Sequence, residues 1–341
     1  MKRNFIYVGN AASNDISVFQ LEENGHAALI QTVPFEGINT VGNATPLAIS
    51  PDHQFLYAGI RAAPFTVLTF KINRETGHLR QIGRAALADS MAYLSTDRSG
   101  RFLFAASYGG SIVSVNPIGA DGVAGDPMQV IETGPNAHAI LASPDNRFVF
   151  ATNLGADQIL AFRFDEKTGA LVPGEPAKIA FDPKSGPRHF VFSADGRFTF
   201  AITEHSAEVT AFAYDASKGS WQKLGAAGIL PEGFDGVSAS ADLHVTLNGK
   251  FVYASERTSS TLKLLRFDAA TGQLQAAESL VTEKQPRGFT IDPTGRFLLA
   301  VGELSHQMTI YSIDADTGAL TAVVTLATGQ QPNWVEVVSF D

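Results

Sequence analysis

Apolar and polar residues alternate with a period of two in short runs along the whole chain. The stretch 185–215 is representative, because it holds three such runs, at 188–192, 198–202 and 209–214. The sequence Ser-Ala-Asp-Gly between the first two runs is a turn, and alternation bounded by such turns is typical of β-hairpins. No run of useful length has the 3.6-residue period of an amphipathic helix, so the pattern predicts an all-β protein.

The same unit recurs along the chain at a nearly constant interval. A turn followed by a phenylalanine appears six times, at Phe55, Phe102, Phe148, Phe198, Phe251 and Phe297. Phe5 begins a seventh copy without its turn, and successive copies lie between 46 and 53 residues apart. A glycine of the outer hairpin keeps the same step, at Gly25, Gly77, Gly122, Gly169, Gly219, Gly272 and Gly318. A period near 50 with about four short strands predicts a seven-bladed β-propeller with four-stranded blades.

The two ends of the chain predict how the ring closes. The C-terminal segment QQPNWVEVV repeats the earlier segment QPRGFTI, and Asn333 stands where Arg287 stands. The chain then ends about where the next phenylalanine would fall, and Phe5 supplies that strand from the other end. We therefore expect the first blade to be closed by the N- and C-terminal strands, which removes an open sheet edge. No linker or composition shift divides residues 1–341, so one domain is expected.

Composition narrows the classes of function. The chain has 25 basic and 34 acidic residues, a net charge of −9, which disfavours nucleic acid and anionic membranes as partners. It has no cysteine, no signal-peptide pattern and no apolar run long enough to span a membrane, so a cytoplasmic location is expected. Motifs for dinucleotides, phosphate loops, a serine nucleophile or clustered metal ligands are missing, so no cofactor and no metal are expected.

Charged residues recur at two positions of the repeat where a propeller needs none. Ten residues before each phenylalanine, at the start of the innermost strand, stand Thr45, Ala92, His138, Arg188, Ala241, Arg287 and Asn333. Six residues after it, where the next strand ends, stand Ala11, Arg61, Tyr108, Leu154, Glu204, Arg257 and Glu303. Because adjacent antiparallel strands run down and back, both positions fall at one end of the blade. They predict two concentric rings around a locally positive mouth suited to a small anion.

Other polar residues near these positions are expected to have no catalytic role. His189 and His205 neighbour better candidates in sequence, and strand alternation should turn them to the opposite face or to solvent. Asp242 and His244 lie on an inner strand outside the first ring, and we expect them to be structural.

Four segments resemble the β-propeller type of 6-phosphogluconolactonase, a family that also resembles fungal muconate-lactonising enzymes. They are GPNAHAILASPDNRFVF, SGPRHFVFSADGRF, ADLHVTLNGKFVYASERT and QPRGFTIDPTGRFLLAVGELSH, and the resemblance covers essentially the whole chain. By motif, the family's cleft residues match His138, Arg188, Glu204 and Arg257. Thr203 and Glu256 replace residues that the family often has beside the site, which leaves the particular substrate open.

The resemblance implies hydrolysis of a sugar-acid lactone, with 6-phosphoglucono-δ-lactone leading and an aldaric or aldonic lactone second. We expect Glu204 to be the base and His138 the proton carrier, although the sequence leaves open which of the two is the base. Arg188 and Arg257 would stabilise the oxyanion. The expected substrate-binding residues are Arg61, Arg287, Tyr108 and Asn333. A cycloisomerase and a non-catalytic binding propeller remain as alternatives, and the chain is expected to act as a monomer on a small anionic sugar lactone.

Overall fold

A computed structural model describes residues 2–38 and 42–341 as seven four-stranded antiparallel sheets. From the centre outwards, the first three blades contain β28 (Pro332–Phe340), β1 (Arg3–Asn10), β2 (Asp15–Leu21) and β3 (Ala27–Pro34); β4 (Leu47–Ile49), β5 (Phe55–Ile60), β6 (Thr66–Ile72) and β7 (Leu79–Ala86); and β8 (Met91–Thr96), β9 (Phe102–Ser107), β10 (Ile112–Pro117) and β11 (Gln129–Glu132).

The remaining four blades follow the same order from the centre outwards. They contain β12 (Ala137–Ala142), β13 (Phe148–Asn153), β14 (Gln158–Phe164) and β15 (Leu171–Ala180); β16 (Pro187–Phe192), β17 (Phe198–Thr203), β18 (Glu208–Asp215) and β19 (Ser220–Gly228); β20 (Ser240–Val245), β21 (Phe251–Glu256), β22 (Thr261–Asp268) and β23 (Gln273–Val281); and β24 (Pro286–Ile291), β25 (Phe297–Gly302), β26 (Gln307–Ile313) and β27 (Leu320–Ala327). A 3₁₀ turn, Leu154–Ala156, follows β13. No helix within the described residues is long and apolar enough to cross a membrane.

The predicted architecture and closure are confirmed. The C-terminal strand β28 pairs antiparallel with β1, from Arg3 opposite Phe340 to Gly9 opposite Trp334. The inner strands contact one another in ring order, including β24 with β28 and β28 with β4. That the whole chain acts as a single domain stays a prediction.

The turn before each repeated phenylalanine ends in a side-chain hydrogen bond to that phenylalanine. The residue five positions earlier is Ser, Thr or Asp, and its side-chain oxygen accepts the backbone N–H of the phenylalanine in all six turns. Short polar side chains favour such turns because they replace a backbone acceptor locally. The sequence signature therefore marks the point where each second strand begins.

The two sequence markers of the repeat touch each other across the blade interfaces. In the second blade, a Cβ atom built on Gly77 would lie 2.2 Å from Cδ1 of Phe5 in the first blade. The glycines at positions 25, 122, 169, 219 and 318 meet the phenylalanine of the preceding blade in the same way, whereas Gly272 meets Leu224 instead. Tyr7 adds a hydrogen bond, donating its hydroxyl to the Gly77 carbonyl at 3.0 Å. The shared period of the two markers thus has a direct packing cause.

The hydrophobic core is divided among the blade interfaces. The buried residues in the described part of the chain form seven clusters, and each cluster combines side chains from two neighbouring blades. The cluster between the fourth and fifth blades contains Phe150, Phe190 and Trp221, with the Phe150 and Trp221 ring centroids 4.9 Å apart. A propeller of this kind is stabilised by sheet-on-sheet burial around the ring.

A β-bulge lies near the start of six of the seven inner strands. On β16, Pro187 pairs with Thr203 and His189 with Ile202, so Arg188 is the extra residue. Arg287 on β24 is displaced in the same way between Pro286 and Gly288. The other bulges fall at Ala92, within His138–Ala139, within Ala241–Asp242 and at Asn333. Bulges re-aim side chains, and here they coincide with the inner ring predicted from the sequence.

Replacing Gly77 with alanine should destabilise the protein by about 1–3 kcal/mol, for two reasons. The added Cβ would clash with Phe5, and alanine would have to adopt a left-handed backbone conformation. The φ angle of Gly77 is +73°. Urea unfolding followed by tryptophan fluorescence measures the loss. Gly249→Ala is the matched control, since the φ angle of Gly249 is also positive, at +72°, and no atom lies within 4 Å of its added Cβ. Equal stability of the two variants would show that the interblade contact does not limit the fold.

Candidate active site

The two predicted rings of residues lie at one end of the propeller. Each member of the outer ring is the first residue after its second strand, as Glu204 follows β17 and Arg257 follows β21. Each inner-ring candidate stands at the start of an inner strand, and Pro187 beside Arg188 pairs with Thr203 beside Glu204. This end of the propeller is called the mouth below.

The closest ion-pair geometry at the mouth centres on Glu204. Its Oε2 lies 2.9 Å from Arg188 Nε and 3.1 Å from Arg257 Nη2. The Arg188 Nε–H is not directed along that line, so the first contact is an ion pair rather than a hydrogen bond. Arg257 is anchored from behind, since its Nε donates to the Ala239 carbonyl at 2.8 Å.

The three side chains differ in exposure. The side chains of Glu204 and Arg257 are 19% and 18% exposed, whereas that of Arg188 is 1% exposed. Arg257 also forms one wall of an open groove of about 510 Å³ between neighbouring loops, with Lys284 on its lining. Glu204 and Arg257 are therefore accessible from the mouth, whereas Arg188 is enclosed by protein.

The charge state of Glu204 follows from its neighbours. Burial raises the pKa of its carboxyl, but the guanidinium groups of Arg188 and Arg257 outweigh burial, and the pKa lies below its usual value. Glu204 is thus an ionised carboxylate at neutral pH. Burial, with Arg257 beside it, lowers the pKa of Arg188 to about 9.

His138 stands on the neighbouring inner strand as a neutral imidazole. Burial and the positive charge of Arg188 hold its pKa well below the usual histidine value, with further contributions from His189, Arg287 and Arg61. Its Nδ1 is buried and has no hydrogen-bond partner among the described residues. A neutral ring with an unused nitrogen can accept a proton and pass one on.

Two more arginines lie on the rings. Arg287 Nη1 donates to Glu303 Oε1 at 3.4 Å, and Gln285 donates to the other oxygen of Glu303 at 2.6 Å. Arg61 Nε donates to Ser90 Oγ at 3.2 Å. Burial and the charge of Arg287 lower the pKa of Arg61 to about 10, so the two guanidinium groups are close enough to repel each other.

Tyr108 and Asn333 occupy different surroundings. Tyr108 is 36% exposed, and its ring centroid lies 6.0 Å from that of His138 in an edge-on contact. Asn333 is buried, and its side chain bridges backbone groups: Oδ1 accepts from the Thr45 N–H at 2.8 Å, and Nδ2 donates to the Gln331 carbonyl at 2.9 Å. Substrate binding by all four residues of this predicted set stays a prediction.

The expected orientation of His189 is wrong, while that of His205 is confirmed. His205 is exposed. His189 is buried 5.0 Å from the ring centroid of His138, and its Nδ1 lies 2.8 Å from Asp242 Oδ1. The bulge at Arg188 breaks the alternation on β16, so consecutive residues reach the channel together. The sequence signal that we missed is the presence of two adjacent polar residues at the start of an inner strand.

A small polar cavity of about 60 Å³ lies in the central channel below the mouth. Its polar and aromatic lining includes Tyr93, His189, Asp242, His244, Trp334 and Glu336. Asp242 Oδ2 lies 3.4 Å from His244 Nε2, and Trp334 Nε1 donates to Glu336 Oε1 at 2.8 Å. None of these residues was among the sequence-derived site candidates.

Thr203 and Glu256, the two residues that depart from the family pattern, both make hydrogen bonds at the loops beside the site. Glu256 is buried, and its carboxylate accepts the backbone N–H groups of Ala239 and Ser259 at 2.6 and 2.5 Å. Thr203 Oγ1 accepts the Glu208 N–H at 3.1 Å. Glu256 therefore holds the loops that carry Arg257. Within residues 2–38 and 42–341, no three His, Cys, Asp or Glu residues group as metal ligands.

Comparison with protein families gives one match over most of the chain. The family model described as "Lactonase, 7-bladed beta-propeller" matches residues 36–337. The 6-phosphogluconolactonase of Pectobacterium carotovorum subsp. carotovorum (strain PC1) is 38% identical over 289 residues, which are 85% of each chain. That of Klebsiella pneumoniae (strain 342) is 34% identical over 287 residues, or 84% of each chain.

Solved structures show the same architecture. The periplasmic gluconolactonase PpgL of Pseudomonas aeruginosa superposes with a TM-score of 0.88 over 99% of both chains, at 28% identity. A Bacteroides fragilis protein superposes with a TM-score of 0.89 over 98% of both chains, at 26% identity.

The buried carboxyl of Glu336 should make stability depend on pH. Burial raises its pKa to about 7, against 4.5 for a free glutamate. The folded state then binds more protons than the unfolded state between these pH values, so this group's contribution to stability falls as the pH rises. Glu336→Gln keeps the acceptor for Trp334 and removes the ionisation. We expect it to match the wild type near pH 4.5 and to exceed it by about 2–3 kcal/mol at pH 8.

Urea unfolding of both proteins across that pH range measures the difference in free energy of unfolding. Subtracting one curve from the other removes the contributions of shared groups that do not interact with Glu336, so only its charged neighbours His244 and Asp242 add to the difference. A difference that stays constant with pH would contradict the raised pKa.

Proposed function

Because the chain belongs to the seven-bladed β-propeller lactonase family, we propose that it hydrolyses the ring ester of a sugar-acid lactone, with 6-phosphoglucono-δ-lactone as the leading substrate. The observation that carries the proposal is the ionised Glu204 held between Arg188 and Arg257, with the neutral His138 also within the field of Arg188. Curated relatives at 34–38% identity are named 6-phosphogluconolactonase, which supports the phosphorylated substrate.

Lactone hydrolysis requires a nucleophilic water, stabilisation of an oxyanion and a proton for the leaving oxygen. In the proposed reaction, Glu204 accepts a proton from water as its oxygen attacks the lactone carbonyl. Arg257 faces the mouth and stabilises the negative charge that forms on the carbonyl oxygen. The ring C–O bond then breaks, and His138 passes the proton from Glu204 to the leaving oxygen. Water is added across the ester and no other reactant is needed.

The remaining arginines suit the far end of an anionic substrate. Arg287 is 17% exposed on its side chain, and it shares an electrostatic field with Arg61. The groove beside Arg257 is large enough for a sugar acid and carries the positive Lys284. Arg61 and Arg287 bind the distal anionic group in this proposal, and Tyr108 and Asn333 complete the substrate-binding set.

An unphosphorylated sugar lactone is the second candidate. The similarity to the Pseudomonas aeruginosa gluconolactonase PpgL favours it, and the same carboxylate and guanidinium groups would carry out the chemistry.

A cytoplasmic location and a monomeric state are also part of the proposal. The location follows because a phosphorylated sugar is charged and remains in the compartment where it is made. Cell fractionation and light scattering test those two points.

A pH-stat assay of acid release should show hydrolysis of 6-phosphoglucono-δ-lactone in preference to glucono-δ-lactone and galactaro- or glucaro-lactones. Glu204→Gln should lower kcat by at least about 100-fold, because it removes the proton acceptor. Glu278→Gln is the control, since Glu278 is exposed on the outer strand β23. Turnover of the Glu204 variant at the wild-type rate would exclude Glu204 as the base. No acid release from any lactone would favour a cycloisomerase or a binding propeller.

The rate should change little between about pH 6.5 and pH 7.5. The reaction needs Glu204 and His138 in their deprotonated forms, and both pKa values lie below the ordinary values of 4.5 and 6.5. Deprotonation is therefore complete before neutrality is reached, and the acid limb of kcat/KM falls below pH 6.5. Initial rates corrected for spontaneous hydrolysis check this. An acid limb at or above pH 6.5 that disappears in His138→Gln would contradict the lowered pKa of His138.

A further inference from the structure

The channel residues beneath the mouth include a chain of contacts that ends on Glu204. It runs from Asp242 to His189, from His189 to Arg188, and from Arg188 to Glu204. Asp242 lies on β20, whereas His189 and Arg188 lie on β16, so the chain links two blades and ends on the proposed base. The chain therefore calls for a functional explanation.

The protonation of His189 follows from the chemistry of its two partners. Arg188 Nη1 lies 3.2 Å from His189 Nε2. A guanidinium group can only donate, so Nε2 must carry the lone pair and Nδ1 the proton. Nδ1 then donates to Asp242 Oδ1 across 2.8 Å. His189 is thus a neutral ring in one defined tautomer, and burial together with Arg188 lowers its pKa to about 4, in agreement with that state.

Asp242 is held in place by backbone donors. Its Oδ1 also accepts the Leu243 N–H at 3.0 Å, and its Oδ2 accepts the Phe289 N–H at 3.3 Å from the neighbouring blade. His244 lies 3.4 Å from Oδ2. The carboxylate cannot rotate without losing these contacts, so it defines the ring orientation of His189.

Arg188 is in turn held from below. Its Nη1 donates to the Ala241 carbonyl at 2.5 Å as well as facing His189, and its side chain is 1% exposed. These two acceptors fix the plane of the guanidinium group, and that plane sets the position of Nε against Glu204.

We propose that Asp242, His189 and Arg188 form a positioning column that holds the Glu204 carboxylate in its reactive orientation. This inference rests on the proposed lactonase activity, because Glu204 is the base in that reaction. Asp242 sets the tautomer of His189, His189 accepts from Arg188, and Arg188 holds Glu204. None of the three needs to touch the substrate, so their loss affects the chemical step more than substrate binding.

Two variants of His189 distinguish a positioning role of this residue from a role in packing alone. In His189→Gln, the side-chain carbonyl can take the place of Nε2 and accept from Arg188. In His189→Asn, the shorter amide can reach toward Asp242 but leaves Arg188 with only the Ala241 carbonyl as an acceptor for Nη1. We expect His189→Asn to lower kcat by about 10-fold or more with KM within about 2-fold, and His189→Gln to stay within about 3-fold of the wild type.

A double-mutant cycle tests whether the effect passes through Glu204. Adding His189→Asn to Glu204→Gln should cost less than about 2-fold in kcat, because the oriented carboxylate is already absent. Equal losses in the Asn and Gln variants, or the same 10-fold loss in the Glu204→Gln background, would overturn the column. Thermal unfolding of each variant shows whether it remains folded.

The wild-type protein gives a readout that needs no variant to fold. Imidazole ¹⁵N spectra near neutral pH should show His189 with Nδ1 protonated and Nε2 unprotonated. A ring protonated at Nε2 would also overturn the proposal. The activity of the wild type and of Glu204→Gln decides the proposed function separately, since neither measurement depends on His189.

Discussion

A contact between a glycine of one blade and a phenylalanine of the preceding blade is the constraint on which most of the ring depends. Gly77 lies against Phe5, and five other glycines meet the preceding phenylalanine in the same way. Each contact fixes how far one sheet slides over its neighbour, and a hydrophobic cluster fills the interface beneath it. The seven blade interfaces, six with this contact and one with Gly272 against Leu224, must close on themselves. The positions of the strand ends around the mouth therefore follow from the packing of the outer hairpins.

The arrangement of charged groups at the mouth depends on β-bulges, where the inner strands depart from regular strand geometry. A regular β-strand would direct Arg188 and His189 to opposite faces. The bulge on β16 brings both toward the channel, and the similar bulge on β20 places Asp242 opposite them. Regular sheets thus provide the rigid frame, and the bulges on β16, β20 and β24 supply the charged groups of Arg188, Asp242 and Arg287.

The sequence was sufficient for most of the fold because the fold is repetitive. The period of Phe55, Phe102 and their equivalents gave the blade count, and the similarity of the C-terminal segment to an earlier inner strand predicted the closure. The pairing of Arg188 with Glu204 could be expected because both positions fall at the same strand end. These inferences need only strand direction and residue counting.

The second layer of the site could not be found in that way. His189 and Asp242 meet across two blades through a bulge, whereas counting along an ideal strand turns His189 to the opposite face and leaves Asp242 outside the first ring. The role of Asn333 depends on an interblade hydrogen bond to Thr45 that no local pattern reveals. Position in the repeat therefore predicts which residues reach the mouth, whereas the contacts beneath it depend on local backbone geometry.

The energetic cost of burying Arg188 indicates that the contacts beneath the mouth serve a function rather than stability. A buried guanidinium loses its hydration, and burial accordingly lowers the pKa of Arg188 to about 9 even with Glu204 beside it. Arg257 adds repulsion to this cost, and apolar residues of similar volume often stabilise a protein core more than a buried ion pair does. The acceptors supplied by Ala241 and His189 offset part of the cost and also restrict the guanidinium to one orientation. A fold that needed only stability would have no use for that orientation, whereas a carboxylate that must meet a water molecule at a defined angle does.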